Sequence, residues 1–164
     1  MSKLVLLTAG LLATCASTTS ERLDRPDYRQ DPRLARLTQF LTVNRCPVAP
    51  LAEQFLYSAD LNSLDWRLLP SISLVESGGG RKCANNNIFG WDEGRTAFSS
   101  VREGIHTVAS RLANSKLYKK KDLKALLRTY NPYPEYPARV ESTMRRLSPT
   151  AKAAGYPSNS RIAK

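Results

Sequence analysis

The sequence predicts a mainly α-helical domain, and two observations carry that prediction. Apolar residues recur at helical spacing in one stretch after another, and the stretches are punctuated by capping residues, a glycine run and prolines. With 164 residues and no internal repeat, the chain has room for one domain and one core.

The elements follow in order. Asp31-Pro32 reads as an N-cap followed by proline in the first turn, and Leu34, Leu37 and Leu41 then mark one face of a short amphipathic helix. Cys46-Pro47 to Pro50 breaks the chain. Ala52, Phe55, Leu56 and Ala59 line the next helix, which ends near Asp60-Leu61-Asn62. The stretch from Asp65 to Ser77 is an apolar helix, capped by Asp65 or starting later at Pro70, and it breaks on Gly78-Gly79-Gly80. Residues 78–98 show no period and predict a small lobe, irregular or a β-hairpin. Ser100 and Glu103 fit a capping box, after which Val101, Ile105, Val108, Ala109 and Leu112 give the strongest helical stripe in the chain. Leu123, Leu126, Leu127 and Tyr130 carry a further helix that Asn131-Pro132 stops, and Val140, Met144 and Leu147 carry the last.

The ends read differently. Met1-Ser2-Lys3, an apolar run from Leu4 to Ala13, and small residues at 14–17 have the three-part plan of a secretory signal peptide, assigned to residues 1–16. Leu12-Ala13-Thr14-Cys15 offers a lipoprotein-like alternative in which Cys15 is acylated; the threonine fits that poorly, and soluble export to periplasm or medium is the preferred reading. Residues 17–45 are assigned to a polar linker and a short helix, 46–148 to the domain, and 149–164 to a basic flexible tail. The formal charge is +11, from 25 Lys and Arg against 14 Asp and Glu, which favours a polyanionic partner. Export removes nucleic acid from the expected partners. With Cys15 cleaved away, Cys46 and Cys83 form an even pair in an oxidising compartment, so a disulfide between them is expected.

The chemistry centres on Glu76. It falls three residues after Ser73, four after Ile72 and seven after Leu69, at the edge of the face those apolar residues bury. Partial desolvation and the negative end of the helix both favour the neutral carboxylic acid. That is the form in which a glycosidase acid protonates a glycosidic oxygen.

Leu69-Pro70-x-Ile72-x-x-Val75-Glu76-Ser77-Gly78, then Asn86-Asn87-Ile88-Phe89-Gly90, then Tyr130-Asn131-Pro132, resemble the glucosaminidase family of bacterial peptidoglycan hydrolases. More loosely, they resemble lytic transglycosylases and other lysozyme-like enzymes. The resemblance covers about residues 48–147. It implies a lysozyme-like helical domain that cleaves β-1,4 bonds between N-acetylated amino sugars of the wall glycan, with Glu76 as acid. It further implies that Tyr130 orients the acid or the sugar, and that Ser77, Asn85, Asn86, Asn87, Phe89, Trp91 and Asn131 contact substrate. Trp91 suits stacking on a sugar ring, whereas Phe89 also suits the core.

Asp92 and Glu93, the acids of the loop after Glu76, are the candidates for the second carboxylate. If neither serves, the substrate's N-acetyl group can act as nucleophile and an anhydro product follows. The Gly-Leu-Met-Gln-like run of transglycosylases is missing after Glu76-Ser77, which favours hydrolysis. The expected partner is the peptidoglycan glycan strand, bound by a monomer without metal or organic cofactor. His106, the single histidine, is placed on the polar side of its helix, which argues against Ser-His or Cys-His nucleophiles and histidine-rich metal sites. A wall-binding module of the same fold without turnover is the rival from another class. A basic protein that binds anionic lipid or nucleic acid without any cleft is the third.

Overall fold

The computed structural model describes residues 26–147. The signal peptide, the acylation alternative at Cys15 and the tail at 149–164 lie outside the described residues. Among the described residues six α-helices follow one another: α1 Pro32–Val43, α2 Ala52–Leu61, α3 Leu68–Ser77, α4 Val101–Asn114, α5 Leu123–Tyr130 and α6 Tyr136–Leu147. The mainly α class is therefore correct.

Helix α3 is the centre of the packing. Leu68, Leu69, Pro70, Ser71, Ile72, Ser73 and Ser77 are all buried, so the helix is enclosed on most sides, between α6 and α2. Its start is not capped by Asp65 from within; the Asp65 carboxylate accepts the Arg67 N–H one turn earlier, at 2.9 Å, and Pro70 sits in the first turn, where its missing N–H is harmless. Helix α4 lays Ile105, Val108, Ala109 and Leu112 on α2, whose Phe55, Leu56 and Ala59 are fully buried. The Phe55 and Phe89 rings meet edge to face at 6.4 Å, fixing the loop after α3 to this core.

Three expectations need correction here. Helix α1 is no appendage of a linker: Leu37 and Leu41 are fully buried in the common core, and the Tyr28 hydroxyl reaches α2 to donate to Asp60 at 2.9 Å. Arg33 bridges Asp31 and Asp60 in the same corner, at 2.7 and 2.8 Å. The α4 cap closes one residue early. Ser100 Oγ accepts the Glu103 N–H at 3.1 Å, but the Glu103 carboxylate takes the N–H and hydroxyl of Ser99, each at 2.6 Å, in place of the Ser100 N–H.

The third concerns the cysteines. Cys46 and Cys83 are free thiols. Cys46 is buried under Gly79, where a Cβ would come within 2.5 Å of its sulfur, while the exposed Cys83 turns its sulfur to the Gly80 carbonyl at 3.5 Å. As for residues 78–100, the lobe is irregular rather than a hairpin, with one 3-10 turn at Trp91–Gly94 and no strand. Asn85, Asn86, Asp92 and Glu93 all hold positive φ between 53° and 57°, which interrupts any extended run.

Burial also pushes the Cys46 thiol up, away from the reactive thiolate, against the nearby Arg81 charge. Iodoacetamide is therefore expected to modify Cys83 in the native protein and Cys46 only after denaturation, read by peptide mass mapping without reductant. Protection of both until reductant is added would show a disulfide instead.

Candidate active site

Helix α3 ends in a left-handed Gly78 (φ 65°), and the Gly79 N–H closes back on the Ser73 carbonyl at 3.0 Å. That stop leaves Glu76 in the last helical turn. Ser77, one residue on, is the fastening point. Its hydroxyl donates to the Ile88 carbonyl at 2.7 Å and accepts the Gly80 N–H at 2.9 Å. The neighbouring Phe89 carbonyl is held from the other side by the Tyr130 hydroxyl at 2.6 Å. Gly90 follows in a left-handed conformation (φ 61°) directly against the acid: a Cβ there would lie 3.0 Å from Glu76 Oε2. Only glycine permits this approach without strain.

One carboxyl oxygen of Glu76, Oε1, is buried with no hydrogen-bond partner, and so is the hydroxyl of Tyr136 at the start of α6. The two groups are close enough to interact. Burial first, and then the Glu76 charge beside it, push the Tyr136 phenol far above its ordinary range, yet no well-aligned hydrogen bond joins them. Tyr130 is likewise held neutral by burial, with Glu76 next in effect. Its ring stacks on Tyr136 at 5.9 Å and an interplanar angle of 8°. Trp91 and Tyr118 extend the aromatic wall, with centroids 5.8 Å and 6.5 Å from that of Tyr130.

Glu76, Gly90, Trp91, Tyr118 and Tyr130 line an open cleft of about 860 Å³, and Tyr136 backs it without bordering it. Glu76, Trp91, Asp92, Glu93, Tyr130 and Asn131 all border it, so the structure brings together the expected acid, both candidate second carboxylates, the tyrosine and two expected contact residues. Asp92 and Glu93 sit on the rim, exposed and in left-handed backbone, and both face Arg95, at 2.8 and 3.3 Å. The Arg95 hydrogen bond holds the Asp92 carboxyl below its usual range, so Asp92 is an anion at neutral pH.

The other expected contacts stand behind the cleft. Phe89 is fully buried core, and Ser77 is buried with its hydroxyl engaged in the loop. Asn87, also buried, donates to the Trp91 and Thr96 carbonyls at 2.9 and 3.0 Å and accepts the Trp91 N–H at 2.9 Å. Asn86 donates to the Phe98 carbonyl, and the Asn85 carbonyl accepts the Phe98 N–H. These amides shape the lobe that carries Trp91, and none of them borders the cleft. His106 also differs from expectation. It is half-buried, its Nδ1 2.6 Å from the fully buried Ser58 hydroxyl and its ring edge-on to Tyr57, so it is a packing residue and Ser58 is shut off from substrate.

Tyr118 and Tyr136 are the site residues that sequence reasoning missed. For Tyr136 a signal existed, since it precedes Val140 by four and Met144 by eight and so belongs to the same buried stripe. No protein-family model matches the chain, and no curated protein matches it in sequence.

Removing the Asn87 amide leaves the Trp91 N–H and carbonyl unpaired, at a cost of about 1–3 kcal/mol. Asn87→Ala in a Trp66→Phe background is therefore expected to lower the urea midpoint and red-shift the remaining Trp91 fluorescence. An unchanged emission maximum would mean that Asn87 does not set the position of Trp91.

Proposed function

We propose that the chain is an exported peptidoglycan glycosidase of lysozyme-like fold, in which Glu76 is the general acid for cleavage of β-1,4 bonds between N-acetylated amino sugars. The observation that carries this reading is a glutamate set into the floor of an aromatic cleft with one carboxyl oxygen buried and unpartnered. Among the described residues no cation pairs with Glu76, and the cleft wall of Trp91, Tyr118 and Tyr130 offers apolar faces of the kind that pack against sugar rings. The acid at the end of a central helix, followed by a polar loop that turns back over it, supports the lysozyme-like assignment.

In the reaction, Glu76 passes its proton to the glycosidic oxygen as the bond to the anomeric carbon breaks and positive charge develops on the sugar ring. Tyr130 acts as a positioning residue, since its own proton is committed to the Phe89 carbonyl next to Gly90. Asp92 and Glu93, which border the cleft, are the carboxylates within it that could accept a proton from attacking water. A second reading is favoured by the ion pairs of the rim. Both rim acids are engaged with Arg95, and a glycosidase without a free second carboxylate can use the substrate's N-acetyl oxygen as nucleophile, with release by the sugar's own C6 hydroxyl as an anhydro product.

Purified peptidoglycan digested with the mature protein and with Glu76→Gln, followed by mass spectrometry, tests the proposal. Soluble muropeptides are expected from the wild type, with a loss of about 10²–10⁴-fold in rate for the variant. Reducing ends identify hydrolysis and 1,6-anhydro ends the alternative. Equal pelleting of both proteins with the wall and no fragments from either would replace the enzyme by a binding module.

A further inference from the structure

A second groove, of about 530 Å³, runs between the C-terminal ends of α1 and α6 and shares no residue with the Glu76 cleft. It is bordered by Arg36, Phe40, Val43, Asn44, Arg146 and Leu147, and among the described residues no carboxylate lines it. The Arg146 guanidinium lies over the Phe40 ring, 5.9 Å from its centroid, and donates to Asn44 Oδ1 at 3.2 Å. Arg81 arrives from the loop after α3 and donates to the Asn44 carbonyl at 2.5 Å. Arg45, exposed and at positive φ, stands next to them.

The negative end of α1 accounts for Arg81 and Arg146. It does not account for Arg36, two turns up the same face, nor for a lining that lacks any acid. The carboxylates of these elements are occupied elsewhere, Asp31 by Arg33 and Glu141 by Arg145. Nor is the face purely ionic. Phe40 and Val43 share the stripe with Arg36 at i, i+4 and i+7, and Val43 is 74 % exposed.

We propose that this groove binds the phosphodiester headgroup of an anionic phospholipid and seats the domain on a bilayer surface. Guanidiniums pair with phosphate through two parallel N–H donors, and Arg36 and Arg146, facing no carboxylate of the lining among the described residues, suit an anion brought from outside. The other occupants fit less well. Two copies of this face repel each other, and the chain's own residues 148–164 carry Lys152, Arg161 and Lys164 with no acid. A neutral glycan brings no charge, and a soluble anionic polymer leaves Val43 in water. A phospholipid satisfies both halves, with phosphate at Arg36 and Arg146 and the acyl boundary at Val43 and Phe40. The mode is surface attachment; among the described residues no helix is long and apolar enough to cross a membrane. The proposal does not depend on Glu76.

Flotation with phosphatidylcholine vesicles, with and without phosphatidylglycerol, reads the binding directly. The full mature protein is expected to float only with the anionic vesicles. Arg36→Ala with Arg146→Ala should lower the partition coefficient about thirtyfold, from about fivefold per basic residue. Val43→Ser should lower it about fifteenfold, the equivalent of two buried carbons. The charge-matched Lys119→Ala with Lys120→Ala variant should lose much less, and melting temperatures of all variants exclude unfolding. Equal losses in the two double variants would overturn the site, because net charge alone would then hold the protein. Displacement by inorganic polyphosphate together with an unchanged Val43→Ser partition would overturn the lipid in favour of a soluble phosphate polymer.

Discussion

The site depends on how two successive carbonyls are held. Ser77, at the end of α3, fixes the carbonyl of Ile88, and Tyr130, at the end of α5, fixes the carbonyl of Phe89. Between them they determine where Gly90 lies, and Gly90 is the residue that touches the Glu76 carboxyl. The acid, the loop and the aromatic wall are thus not three independent features. One hydroxyl from the acid's own helix and one from the opposite wall set the depth at which the carboxyl is buried. Both bonds are made inside the protein, where an unmade partner is costly, so the arrangement is stiff.

This accounts for what was legible in the sequence. Helices α1, α2 and α4 were readable because each lays a full stripe of apolar side chains on a neighbour, and Leu37, Leu41, Phe55, Leu56, Ile105 and Val108 are indeed buried. The stop of α3 was readable because consecutive glycines end a helix. The roles of Ser77 and Asn85 to Asn87 were not readable. A polar residue in a loop looks the same in sequence whether its partners are a ligand or the loop's own backbone. Here the loop's own backbone takes the Ser77, Asn86 and Asn87 side chains, and Asn85 contributes its main-chain carbonyl to Phe98. Tyr136 was obscured by the proline that follows it, although Pro137 falls in the first turn of α6 and the tyrosine shares the buried face. The cysteine pairing failed for a different reason: an even count says nothing about where the sulfurs point.

The cleft joins unlike surfaces. Its floor is aromatic and holds a carboxyl with a buried oxygen; its rim carries Asp92 and Glu93 under the control of Arg95. The left-handed turn at Asp92 and Glu93 keeps these acids at the surface, paired with Arg95, rather than letting them fold in beside Glu76. Burial pushes the Tyr118, Tyr130 and Tyr136 phenols up from their ordinary range, so all three serve the cleft wall as neutral aromatic faces.

The proposed reaction requires a sugar ring in this cleft with its glycosidic oxygen at residue 76. A crystal structure of Glu76→Gln soaked with a β-1,4-linked N-acetylglucosamine oligomer tests it most directly. A glycosidic oxygen is expected within hydrogen-bond distance of the side-chain amide introduced at position 76, with a ring packed on Trp91. An oligomer bound away from residue 76, or a cleft that stays empty while other surfaces fill, would contradict it.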